Sequence, residues 1–457
     1  CYYQAFGVEK NEKEARKWYE AAANQGNVTA QYMTGQMYMA LSYNVAAVKW
    51  YTKAAEQNCP EAQCELGKCY ETGDGVGKNE AKAIELYRKA AVQGYAEAQK
   101  KLGNCYSYGI GVAKDLEQAF ECYSKAAKQG NVKAQYNLGV CYECGWGVTK
   151  DLAKAAEWYR KSAEQGDARA QYNLGWCYEY GEGVTKDLAK AVEWYRKAAE
   201  RGNAKAQFAL GECYYYGDGI EENNEEAVKW YRKAAEKDVA NAQCMLGECY
   251  YYGYGVEENN EEAVKWFRKA AEQDVAKAQN LLGDCFYYGY GVKTNYWEAA
   301  KWYEKAANQG NVDAQNMFGY CYEYGKGITK DLSKAAEWYR KAAEQGYATA
   351  QCNLGICYEY GRGVTKDLSK AAEWYRKSAE QGYASAQFNL ARLYANGYGV
   401  AQNKEEAAKW YRKAAEQGMA SAQNSLGYCY DKGEGVEKNS AKAVESVSYT
   451  HLTLPTN

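Results

Sequence analysis

The sequence predicts an all-α protein, an α/α superhelical solenoid of 36-residue helix-turn-helix repeats, on three observations. An Ala-Gln pair recurs with its Gln at 31, 63, 99, 135, 171, 207, 243, 279, 315, 351, 387 and 423, spaced 32 residues once and 36 thereafter. Proline occurs only twice in 457 residues, at Pro60 and Pro455, which suits continuous helix. Within each unit the apolar residues return at helical spacing, and no alternating strand pattern competes with them.

The unit around Gln135, residues 131–166, shows each element in order. Ala134, Leu138, Gly139 and Tyr142 fall on one face of a first helix. Gly145 and Gly147 stop it, because glycine reaches the positive φ that ends a helix. This Gly-x-Gly recurs in eleven units, from Gly73/Gly75 to Gly433/Gly435. Asp151 begins the second helix, and every 36-residue unit has Asp or Asn there, both good N-caps. Asn223 with Glu226, and Asn259 with Glu262, have the spacing of a capping box. The second helix is expected to bury Ala155, Trp158 and Tyr159 and to end at Gln165-Gly166. One such hairpin cannot cover both of its apolar faces, so the units must stack.

The motif A-x-x-x-L-G-x-x-Y-x-x-G-x-G-V, followed by D-x-x-K-A-x-x-W-Y-x-K-A-A-x-x-G, resembles the Sel-1-like repeat, a relative of the tetratricopeptide repeat. Here it is carried by Ala134, Leu138, Gly139, Tyr142, Gly145, Gly147, Val148, Asp151, Lys154, Ala155, Trp158, Tyr159, Lys161, Ala163 and Gly166, with Ser162 in place of the first Ala of the pair. The resemblance covers residues 1–445 as one continuous array, with eleven full units between Asn27 and Gly418. It implies a superhelix that serves as an adaptor or scaffold in protein complexes.

Three departures stand out. The first full unit lacks four residues around Leu41–Asn44 together with its Gly-x-Gly, so its turn must differ. Ala391 replaces the first-helix Gly, and Leu393 replaces the Cys of that helix. After Glu445 the pattern stops in mid-helix and becomes SVSYTHLTLPTN. Residues 446–457 are therefore read as a non-repeat tail foreign to the native protein. With the opening at Cys1, the array is expected to be a section of a longer one.

Composition narrows the function. Lys plus Arg total 57 and Asp plus Glu total 59, so the basic excess of a nucleic-acid or membrane-surface binder is missing. No apolar run approaches the roughly 18 residues of a membrane span. Ten of the seventeen cysteines share one repeat position, from Cys69 to Cys429. A helix spacing apart along the stack, they read as small buried hydrophobes. One secreted subfamily of these repeats pairs cysteines eight apart, and no two here have that spacing. Many unpaired thiols favour a reducing compartment, so a cytoplasmic location is expected. Cys141-x-x-Cys144 lacks the further ligands that zinc needs. His451 is the only histidine and lies in the tail, which removes the usual general base. Gly73-Asp-Gly-Val-Gly-Lys78 is an inter-helix turn and not a phosphate loop. No catalytic residue, metal site or cofactor is expected.

The candidate site is the first-helix face that the core leaves over. Relative to the Gln, positions −2, +1, +5, +8 and +9 carry aromatic side chains interspersed with acids. The stripe comprises Tyr136, Tyr172, Trp176, Glu179, Tyr180, Phe208, Glu212, Tyr216, Glu248, Tyr252, Tyr288 and Tyr324. Tyr and Trp offer large contact area at low entropic cost. The expected role is non-catalytic binding of a protein or extended peptide in the concave groove, with the carboxylates favouring a partner that carries Lys or Arg. The alternatives are hydrolysis of a glycan or cell-wall fragment in an acidic groove, which the lack of His opposes, and helical-repeat RNA binding, which needs a basic groove.

Overall fold

The computed structural model describes residues 12–448. They form 25 helices, from α1 (Glu12–Asn24) to α25 (Ser440–Ser448), with no strand among the described residues. The chain divides into two compact units, one ending at Lys233 and the other beginning at Ala234. The division falls inside α13 (Asn224–Ala235). In each unit successive helices pack pairwise in chain order. Cys1, His451 and most of the 446–457 tail lie outside the described residues. Residues 446–448 prolong α25.

The repeat around Gln135 shows how the sequence makes the pair. α8 (Val132–Cys144) ends at Gly145, whose φ of 72° places it in the left-handed region. The amide of Trp146 donates to the Cys141 carbonyl over 2.9 Å, and Gly147 follows with φ 67°. α9 (Leu152–Glu164) starts under its N-cap: Asp151 Oδ1 accepts from the Lys154 amide at 3.0 Å. Where the second helix closes without Gly, Asp238 and Asp274 take the left-handed conformation instead, a role Asp tolerates.

The two expected capping boxes form only by half. Asn223 and Asn259 accept from the amides of Glu226 and Glu262. The Glu side chains do not return the bond, because the Asn amides already donate to the carbonyls of Tyr214 and Tyr250 in the preceding helix. Glu226 and Glu262 bind Lys229 and Lys265 instead, at 2.6 Å each. The shortened unit differs as expected. α2 (Val28–Ala40) meets α3 (Asn44–Glu56) through Leu41, Ser42 and Tyr43 alone, with Ser42 at φ 62°.

The core of this pair is built from alanines, a leucine and one buried ring. Ala134, Ala155, Ala163, Leu138 and Tyr159 are all nearly inaccessible. A Cβ on Gly139 would sit 2.6 Å from the Tyr159 ring, so the glycine is what admits that ring. Trp158, expected in the core, lies at its margin, with the Lys161 ammonium 4.0 Å from its ring centre.

Candidate functional site

The glutamine that marks the repeat proves to be an inter-repeat link. Gln135 is buried; its Nε2 donates to the Ala127 carbonyl (3.3 Å) and its Oε1 accepts from Gln165 (2.7 Å), thirty residues on. The same rung joins Gln93 to Gln63, Gln309 to Gln279 and Gln381 to Gln351. At Gln171 the rung is open, because Arg201 stands where the donor amide would be, and the Gln171 Oε1 has no partner.

The acids eight residues after the Gln have a structural task that sequence spacing did not reveal. Tyr159 donates to Glu143, Tyr195 to Glu179 (2.5 Å), Tyr339 to Glu323 (2.8 Å) and Tyr375 to Glu359 (2.8 Å). Each bond satisfies the hydroxyl of a ring buried under the first-helix glycine. The partners lie on two helices, sixteen residues apart, so only the packed pair brings them together.

The candidate residues differ in exposure by register position. Tyr136, Tyr172 and Phe208, one residue after the Gln, are half-buried. Their ring centres lie 5.8, 5.7 and 5.9 Å from those of Tyr159, Tyr195 and Tyr231. Tyr180 and Tyr216 in the first unit, and Tyr252, Tyr288 and Tyr324 in the second, stand nine residues after the Gln. They are the open members, between 49% and 60% exposed. Trp176 is half-buried, 4.9 Å from the Tyr180 ring. A hydrogen bond to Glu179, with burial next, raises the Tyr180 phenol to about 12.

Three acids five residues after the Gln behave differently. Glu248 is buried and ion-paired to Lys277 at 2.8 Å. Asp284 accepts from Tyr303 at 2.7 Å, yet burial carries its carboxyl up to about 6. Glu212 is pushed up to about 7, first by burial and then by the charges of Glu179 and Asp218.

The second unit extends the open row with residues the helical stripe could not include. Tyr254 and Tyr290 occupy the middle of the Gly-x-Gly turns and are themselves exposed. They lie 5.5 Å from Tyr252 and Tyr288, with rings inclined by 31° and 30°. Their signal was a Tyr in the turn slot, in a segment read only as a connector. Tyr320 and Tyr324 make a further pair at 4.4 Å.

Catalytic and metal chemistry have little to start from. No group of three His, Cys, Asp or Glu among the described residues could hold a metal ion. The sixteen described cysteines are free thiols, all buried except Cys59 and Cys144. Burial raises Cys141 and Cys177 to about 12, so they stay protonated and unreactive. No described helix is long and apolar enough to cross a membrane.

The Sel1 repeat profile matches thirteen consecutive segments of the chain, from residues 1–27 to 420–445. The chain belongs to the Sel1 repeat family. A protective antigen of uropathogenic Escherichia coli with the SLR fold is similar at 39% identity and a TM-score of 0.81. The match covers 90% of this chain and 91% of that one. A Sel1 repeat protein of Oxalobacter formigenes is 35% identical, with a TM-score of 0.52, over 68% of this chain and 90% of its own. No curated protein sequence matches. Sel1 repeats form TPR-like helical solenoids that typically act as protein-interaction scaffolds and are generally non-catalytic.

Proposed function

We propose that this Sel1 repeat protein is a non-catalytic scaffold that holds a protein or extended peptide along the face of its first helices. One observation carries the reading. The same register position, nine after the Gln, presents an exposed tyrosine in successive repeats: Tyr180 and Tyr216 in one unit, Tyr252, Tyr288 and Tyr324 in the other. The neighbouring positions are committed to packing, so these rings are surplus to the fold. Rigid amphipathic rings of this kind dominate binding hot spots. In the first unit the half-buried Tyr136, Tyr172, Phe208 and Trp176 form the base of that face, and Glu179 and Glu212 give it acidic character. The buried free thiols support a reducing, cytoplasmic setting.

The test compares proteins retained from lysate by the chain and by a variant with all five tyrosines changed to serine. The expected result is loss of the specifically retained proteins with far-UV circular dichroism unchanged. Retention of the same proteins by the folded variant refutes the assignment of this face.

A further inference from the structure

We infer that Glu179, Glu212 and Asp218, with the rings of Trp176, Tyr180 and Tyr216, form a receptor for an arginine side chain of a bound partner. The inference rests on the docking face proposed above and assigns the chemistry of one place on it.

The chain itself shows what this arrangement holds. Glu323 and Glu359 lie eight residues after their Gln, as Glu179 does. Glu359 is ion-paired to Arg392, five residues after the next Gln. Glu323 is paired to Arg362 at 2.9 Å, eleven after the next Gln. The Arg362 guanidinium also lies 5.3 Å from the centre of the Tyr360 ring, nine after that Gln. In the repeat that follows Glu179, positions five, nine and eleven are Glu212, Tyr216 and Asp218. The carboxylate and the tyrosines keep their places, while both arginines are replaced by acids. One part of the array supplies its own guanidinium; here the same positions require one from outside.

The electrostatics agree. Glu212 feels Glu179 and Asp218 as like charges, and none of the three is in an ion pair among the described residues. Elsewhere the chain neutralises acids of this row, as Lys101 does Glu71 and Lys277 does Glu248. The three carboxylates do not converge tightly enough to hold a metal ion. A planar guanidinium suits them better. It offers five donors in a fixed fork and stacks on aromatic faces. The Trp176 and Tyr180 rings, 4.9 Å apart, and the exposed Tyr216 provide those faces.

The experiment follows the Trp176 indole N–H resonance of the full chain, assigned with Trp176→Phe. The probe is a Gly-Arg-Gly peptide blocked at both ends; its citrulline counterpart has nearly the same shape and no charge. The expected result is a saturable shift with the arginine peptide and none with citrulline. Glu212→Arg rebuilds the Glu359–Arg392 pair, so the variant should fold with an equal or higher thermal midpoint and bind the probe at least about tenfold more weakly. Glu212→Gln, nearly isosteric, should also weaken binding and serves if the arginine variant misfolds. An equal response to citrulline, free arginine binding as tightly as the peptide, or full affinity in the folded variants overturns the inference. Partner capture that is lost in the five-tyrosine variant but untouched by Glu212→Arg removes the arginine receptor and leaves the scaffold reading standing.

Discussion

In the repeats around Gln135 and Gln315 the second and first helices have changed by different amounts. α9 and α19 (Leu332–Glu344) differ at two of thirteen positions, whereas their first-helix partners, α8 and α18 (Val312–Tyr324), differ at six. The second helix puts Tyr159 under the Gly139 backbone and Ala155 against its neighbours. The first helix anchors itself with Ala134, Gln135, Leu138 and Gly139 and leaves its remaining face open. Between these two repeats most of the variation falls on the first helix, where partner choice can be written without disturbing the stack.

The severest test of that contrast is at the turn joining the rows. Gly147 has φ 67°, and a Cβ there would sit 2.0 Å from the Leu116 carbonyl oxygen. Gly147→Ala should cost about 3–5 kcal/mol, combining left-handed strain with overpacking, read as a lower denaturation midpoint. Next comes Gly139→Ala, whose Cβ would meet Tyr159 at 2.6 Å; about 2–3 kcal/mol is expected. The chain has made that change once, at Ala391. There the facing ring is Tyr411, 7% exposed where Tyr159 is 1% exposed. A loss below 0.5 kcal/mol for Gly139→Ala would show that the fit is looser than stated.

A smaller effect concerns charge on the open row. Glu212 holds its proton up to about pH 7 in the folded chain, above the ordinary carboxyl value of about 4.3. The folded state therefore binds the extra proton between those values, and stability from this group falls as pH rises through that window. Glu212→Gln should stabilise the chain by about 1–2 kcal/mol at pH 8, discounted for partial exposure, and by almost nothing at pH 4. Equal stabilisation at both pH values would contradict the origin given for the shift. The smallest effect is expected at Tyr180→Ser, within about 0.5 kcal/mol in stability; a drop beyond 1 kcal/mol would mean that the open tyrosines belong to the fold.

Much of the architecture was legible in the sequence, because turn glycines, N-caps and core spacing are local devices. Gly145, Asp151 and Leu138 declare their roles within one helix turn. The links between helices were not legible in the same way. The Gln135–Gln165 rung and the Tyr159–Glu143 bond depend on where side chains point after packing. Both have the period of the repeat, so periodicity alone cannot separate a packing residue from a binding one. Glu179 illustrates the point: its spacing is that of a surface acid, and it also receives the Tyr195 hydroxyl. Trp158 misled because a large apolar residue beside buried Tyr159 looks like core, while Lys161 covers it from the solvent side.

That covered indole has a use as a reporter. Trp158, Trp194, Trp338 and Trp374 each lie beneath an ammonium group, at 4.0, 4.1, 3.8 and 4.1 Å. The excited-state dipole of an indole responds to a nearby positive charge, so its emission wavelength depends on whether the lysine stays in place. Each such repeat thus carries its own optical gauge of local order. A set of chains keeping one tryptophan at a time would reveal in what sequence the repeats loosen on heating, resolving by colour a process that circular dichroism averages over the whole array.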